Sequence, residues 1–253
     1  MILGLEFPSL PHITNWPEFL GGDTIGVNKV VLVYFLAVVI TIALFTMANK
    51  KQMVPSGAQN LAEISVEFVE DQVVMPTMGT DGLRWTPYLI SLFFFIFLTN
   101  IFEVVPLIQM PGNARIAVPM FLALLTWVLF IGAGFKAQGP LGYLKSSLFP
   151  PGVPKALYVL VTPIEFVSIF LVRPFSLMVR LFANLLAGHI LLVTFAVLSA
   201  SLVTAKWYAI FLPLPVLGVI FFTAFEVLVS FLQAYVFALL AGVYIGSSLH
   251  PEH

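Results

Sequence analysis

Two long apolar blocks, residues 156–203 and 207–249, close this sequence, and each is over 40 residues long. At 1.5 Å per residue a straight helix of that length exceeds ~60 Å, about twice the ~30 Å hydrocarbon thickness of a bilayer. Each block therefore either folds back on itself as two spans or lies as one strongly tilted helix. A tight reversal needs turn residues, and Gly188 stands alone in the middle of the first block. The expectation is two long tilted helices joined as a hairpin near residues 199–206.

The rest of the chain is of the same kind. Only 9% of the residues are Asp, Glu, Lys or Arg, against roughly 25% in a soluble domain, so there is too little charge to build a water-facing surface. Blocks at 27–48, 86–108 and 116–135 each have the length of one span. Between the first two, residues 56–78 read as an amphipathic surface helix. Ser56 and Gln59 have capping-box spacing, and Glu63, Glu67, Glu70 and Asp71 share one arc. That arc is either a solvated face or a docking surface for a partner subunit. The expected fold is an all-α membrane protein forming a single membrane domain, 1–253. It has about five membrane-embedded helices plus one surface helix, with residues 1–26 as an outer N-terminal segment.

Lys50, Lys51, Lys136, Lys145 and Lys155 fall on one side if the N-terminus is outside and the C-terminus cytoplasmic, which satisfies the positive-inside rule. Residues 1–26 contain no Lys or Arg, and the first apolar block runs into Asn49-Lys50-Lys51 instead of a cleavage site, so residue 1 onward is expected in the mature protein. A net charge of −1 provides no electrostatic footprint for nucleic acid. The absence of cysteine excludes disulfides, thiol catalysis and cysteine metal sites. No internal repeat is visible, which counts against a transporter of two duplicated halves.

Charge inside the apolar blocks needs a reason, because an ionised side chain deep in a bilayer costs at least ~2.5–3.5 kcal/mol. The residues concerned are Glu103, Glu165, Arg173, Arg180, His189 and Glu226. Arg173, before Pro174, can snorkel, and Glu165 is close to the cytoplasmic end of its block. Arg180 sits mid-block, too far from either end to snorkel without tilt. On a helix Ser176, Arg180, Ala183, Asn184 and Ala187 share one face, small apart from the arginine and asparagine, so a neighbouring helix can approach it closely. His189 points about half a turn away from Arg180. On the last block Glu226, Ser230 and Gln233 share a face.

Arginine stays protonated, so Arg180 attracts a carboxylate or repels cations but carries no proton. Histidine and a desolvated glutamate do exchange protons near neutral pH. His189, Glu226 and Glu103, with the amides Asn100 and Gln233, have the chemistry of a proton relay; the same set also suits a hydrogen-bond network that braces helices. No metal site is expected, since no ligand pair has a local spacing such as H-E-x-x-H, and His250-Pro251-Glu252-His253 reads as a frayed tail. From the residues alone, a stand-alone proton or ion channel or transporter uses the same buried charges. A membrane-embedded hydrolase lacks any nucleophile or dyad motif.

The stretch Arg173-Pro-Phe-Ser-Leu-Met-Val-Arg180-Leu-Phe-Ala-Asn184-Leu-Leu-Ala-Gly-His189 resembles the signature helix of the a subunit of rotary F-type ATP synthases. The likeness extends to Thr99-Asn100-Ile-Phe-Glu103-Val-Val-Pro106 and Gln233-Ala-Tyr-Val-Phe-Ala-Leu-Leu, and covers most of residues 27–249. It implies that Arg180 faces a rotating ring of c subunits and meets its proton-carrying carboxylate. Asn100 and Glu103 then match the family's N-x-x-[DE] motif, and Gln233 its glutamine before Ala-[FY]. Some members carry Glu after the Ala-Gly and His on the final helix; here the order is His189 and Glu226, which implies that the two side chains meet.

The mechanism implied is two offset half-channels. Protons enter from outside near Asn100, Glu103, His189, Glu226 and Gln233, with Asn184 on the same helix as Arg180. They leave on the cytoplasmic side past Glu165 and Ser176, and Arg180 keeps the two routes apart. The implied partners are the c-ring, b-type peripheral stalk subunits, the rest of the ATP synthase and the lipid bilayer, with no cofactor. No Walker-type G-x-x-x-x-G-K-[ST] occurs, so ATP chemistry lies on other subunits. The setting that fits is a bacterial inner membrane, ahead of an organellar one.

Overall fold

The computed structural model describes residues 20–22, 25–27, 29–48, 56–105, 108–109, 112–149, 154–204 and 208–249. Lys50, Lys51, Pro106, Pro150–Gly152, Lys206, the 250–253 tail and most of the 1–26 segment lie outside the described residues. A short antiparallel hairpin, β1 (Leu20–Gly22) with β2 (Ile25–Val27), pairs Leu20 with Val27. The remaining described elements are helices, so the fold is all-α apart from this hairpin.

Helix α1 (Lys29–Ala48) is followed by a helical run from Ala58 to Ile101 that is interrupted at Gly79, whose φ is 62°. The run comprises α2 (Ala58–Val69), a π turn at Glu70–Val74, α3 (Met75–Met78), a 3-10 stretch at Gly79–Trp85, and α4 (Thr86–Ile101). Then come α5 (Ala117–Gln138), α6 (Pro140–Leu148), α7 (Tyr158–Val167), a π turn at Ser168–Val172, α8 (Arg173–Thr204) and α9 (Pro213–Leu249). Among the described residues five helices are long and apolar enough to cross a membrane, and three of them, Ala58–Ile101, Tyr158–Val203 and Ala209–Leu249, exceed 40 residues. Neither of the last two reverses in its middle, as the lack of turn residues led us to expect.

The N-cap of α2 is Gly57 and not Ser56, with no side-chain cap bond from it. Helix α2 starts from Gly57, whose φ of 61° is left-handed, and Gln59 Nε2 turns forward to Glu63 Oε1 at 2.8 Å. Glu63, Glu67 and Asp71 are exposed and Glu70 half-buried, so the acidic arc faces outward. Helix α6 occupies a stretch whose glycines and prolines read as loop. Gly139 (φ 76°) ends α5, and Pro140, with its preset φ and missing N–H, begins α6.

Both π turns end two residues before a proline, at Val74 before Pro76 and at Val172 before Pro174. A proline ring clashes with the carbonyl four residues back, and widening the turn to i→i−5 bonding relieves that clash. Met75 N–H accordingly bonds Glu70 O, and Arg173 N–H bonds Ser168 O. In this wider register Pro174 would have bonded Ile169 O. The indole N–H of Trp127 donates to that freed carbonyl at 3.2 Å instead.

The chain divides into two compact units, one built from the chain up to Val39, Phe95–Arg115 and Phe182–Gln233, the other from Ile40–Phe94, Ile116–Leu181 and the chain from Ala234. In the first, Val30, Val33, Ala37 and Phe102 form a buried cluster, and Tyr34 hydroxyl donates to Gly112 O. In the second, a Cβ on Gly246 would lie 2.3 Å from Thr77 O, so only glycine lets α9 pack against the backbone around α3. There Gln138 Nε2 also donates to Ser248 O at 2.9 Å, and Tyr143, only 2% exposed, packs its ring against Gly134. Large apolar side chains elsewhere stay uncovered, Val159 at 83% and Leu228 at 62%, as in helices whose solvent is lipid or another chain.

Candidate functional site

The first unit holds the buried polar residues. Helix α4 ends at Ile101, and from there the bonds shorten to i→i−3: Glu103 N–H to Asn100 O at 3.1 Å and Val104 N–H to Ile101 O at 3.0 Å. Glu103 thus lies just beyond the helix end and not in its last turn. Its carboxylate meets His189 Nδ1 on α8 at 2.9 Å, with Glu103 4% exposed. Asn113, fully buried in the 3-10 turn Gly112–Ala114, donates from Nδ2 to Asn100 Oδ1 and to Thr99 Oγ1, both at 2.8 Å. That double donation fixes which way the Asn100 amide points.

Glu226 on α9 is 4% exposed and lies against α8 where that helix has no side chain. A Cβ on Gly188 would be 1.7 Å from Glu226 Oε1. The expected meeting of His189 with Glu226 is therefore replaced by two adjacent contacts. Gly188 receives Glu226, and His189, rotated about 100° along the helix, receives Glu103. One face of α9 carries Glu226, Ser230 and Gln233, all buried, and Asn184 Nδ2 lies 3.5 Å from Gln233 Oε1, at the long limit of a hydrogen bond.

Five buried side-chain atoms in this unit have no hydrogen-bond partner among the described residues: Glu103 Oε2, Asn113 Oδ1, Glu226 Oε2, Ser230 Oγ and Gln233 Nε2. Native interiors leave few such groups, and water is their usual partner. Carboxylates, amides and a hydroxyl with spare bonding capacity are groups that bind water, and carboxylates and an imidazole have the chemistry to exchange protons.

The second unit holds Arg173, Arg180 and Glu165. Arg173 is half-buried, its guanidinium 5.1 Å from the Tyr244 ring centroid, with Nη1 donating to Ser247 Oγ at 3.4 Å. Arg180 is exposed and makes no hydrogen bond or ion pair among the described residues. The flank of α8 centred about 100° round from Arg180 buries Leu177, Leu181 and Leu185, while Ala183 and Ala187 are exposed on its own side. Ser176 and Glu165 are half-buried. No group of three or more His, Asp or Glu residues is placed to hold a metal among the described residues.

Sequence reasoning missed Asn113 and the close approach at Gly188. An asparagine after Pro-Gly reads as turn chemistry, and nothing in the sequence distinguishes it from one that braces Asn100. From the sequence, Gly188 reads only as too weak a signal for a turn. A glycine one residue before a histidine inside an apolar helix was the signal that something approaches closely there.

Residues 30–246 match the family model described as ATP synthase A chain. The chain is 40% identical over 237 residues to ATP synthase subunit a of Frankia alni, covering 92% of this chain and 82% of that protein. It is 42% identical over 251 residues to ATP synthase subunit a of Rhodococcus erythropolis, covering 97% and 90%. With the protein of the same name from Beijerinckia indica the identity is 36% over 237 residues, covering 93% and 92%.

Proposed function

Since this chain belongs to the ATP synthase A chain family, we propose that Arg180 is the coupling residue of a proton-translocating stator subunit working against a rotating c-ring. The subunit sits as a multi-pass protein in a bacterial inner membrane beside b-type stalk subunits, with its N-terminus outside and its C-terminus cytoplasmic. It binds no ATP itself and couples proton flow to ATP synthesis on other subunits. The stand-alone channel is not favoured, because the relatives are named as subunits of an ATP synthase.

One observation carries the proposal: Arg180 is an exposed, unpartnered guanidinium within a helix of membrane length. In hydrocarbon such a group needs compensation from outside the chain, and a carboxylate of a neighbouring subunit supplies it by opposite charge. A ring carboxylate that arrives there is held ionised by the opposite charge and releases its proton. Protons reach the ring from outside along Asn100, Glu103, His189, Glu226 and Gln233, and depart past Ser176 and Glu165. Asn113 and Gly188 shape the entry route by orienting Asn100 and making room for Glu226. Arg180 keeps the two routes apart, and the membrane field supplies ~2.3 kcal/mol per proton per 100 mV.

The test is ATP-driven acidification of inverted vesicles carrying Arg180→Ala, with assembly of the rotary complex verified. Loss of pumping in an intact complex is expected. Pumping at the parental rate would overturn the role assigned to Arg180.

A further inference from the structure

In the second unit, a cavity of about 560 Å³ opens between the start of α4 and the end of α5, and none of its lining residues is assigned to proton transfer. Val128, Gly132 and Lys136 line it at intervals of four residues and so form one stripe along α5. Arg84 and Trp85, just before α4, supply another wall, and Leu249 at the end of α9 also lines it. The floor is a furrow because Gly132 has no side chain; a Cβ there would meet nothing within 4 Å. Arg84 and Lys136 are exposed, and neither makes a hydrogen bond or ion pair among the described residues.

We propose that this cavity binds an anionic phospholipid, with one acyl chain along the Val128–Gly132 furrow and the phosphate headgroup between Arg84 and Lys136. The furrow presents apolar wall on a helix of membrane length, which suits a hydrocarbon chain. Two unpaired cations at one end suit a phosphate, the arginine by its planar fork and the lysine as a point charge. Trp85, whose ring makes an edge contact with Tyr88 at 6.4 Å, marks the headgroup level where tryptophan concentrates. A partner's spanning helix is the poorer occupant. Lys136 stands in the last turn of α5, with Lys145 following on α6, and a neighbouring span ending on that side carries basic flanks of its own, which Arg84 and Lys136 repel.

The experiment uses the assembled, purified complex. Native mass spectrometry after graded detergent washing counts the phosphatidylglycerol retained, with phosphatidylcholine exchanged in as the neutral control. Arg84→Gln and Lys136→Gln should each weaken retention about fivefold, the size expected of one cation at a membrane surface. Because this chain has no cysteine, Gly132→Cys in an otherwise cysteine-free complex accepts a photoreactive maleimide. An adduct with phospholipid that falls in the Arg84→Gln/Lys136→Gln background is the expected result. Equal retention of both lipids, or an adduct with a protein subunit in place of lipid, would overturn the proposal.

Discussion

Arg173 and Arg180 stand two turns apart on one helix, and their surroundings differ completely. Arg173 finds its partners within the chain, over the Tyr244 ring and against Ser247 Oγ. Arg180 finds none among the described residues and is left exposed beside Ala183 and Ala187. Both cations occupy a helix long and apolar enough to span a bilayer, where an uncompensated charge is costly. A cation whose needs are met inside the chain stabilises the chain, whereas one whose needs are unmet specifies a partner. That contrast separates structural charge from functional charge more sharply than depth in the apolar block does.

The largest expected effect separates the two directly. Arg180→Gln should abolish ATP synthesis in vesicles, while Arg173→Gln should leave most of it. Comparable losses from both would erase the distinction. Next comes Gly188→Val, which drives a side chain into the space of Glu226 and should lower ring-coupled proton flux roughly tenfold or more, as expected when an acid–base group is misplaced. Adding Glu226→Asp, one methylene shorter, should restore part of the flux, and no restoration would count against the contact. Asn113→Leu leaves Asn100 Oδ1 without its donor and should slow proton entry several-fold while ATP hydrolysis by the detached catalytic sector is unchanged. The smallest effect is on stability. Arg173→Gln should reduce the thermal stability of the assembled complex by about 1 kcal/mol, the scale of one cation–π contact, readable as a small fall in its melting temperature.

The membrane-length helices were legible because apolar length alone dictates them, and the unbroken pair at the end followed from a lack of turn residues. The π turns were not legible, because Pro76 and Pro174 announce a disturbance without saying how the backbone absorbs it. The polar set Asn100, Glu103, His189, Glu226 and Gln233 was identifiable from the cost of burying such groups, but its pairing was not. Whether His189 or Gly188 meets Glu226 depends on helix phase across two elements distant in sequence, and a step of one residue turns the side chain by about 100°. Asn113 was hidden for a different reason, since Pro-Gly-Asn has the composition of a turn wherever the turn is buried.

The central claim is that the partner missing from Arg180 is a carboxylate on the c-ring, and cross-linking tests it most directly. In a cysteine-free complex, Ala183→Cys and Ala187→Cys on the exposed side of α8 are paired in turn with a cysteine placed one helical turn from the ring carboxylate, with Leu185→Cys on the buried side as control. The account predicts disulfide formation with c subunits from positions 183 and 187 and none from 185. Cross-linking from 185 alone, or from none of the three in an active complex, would contradict it.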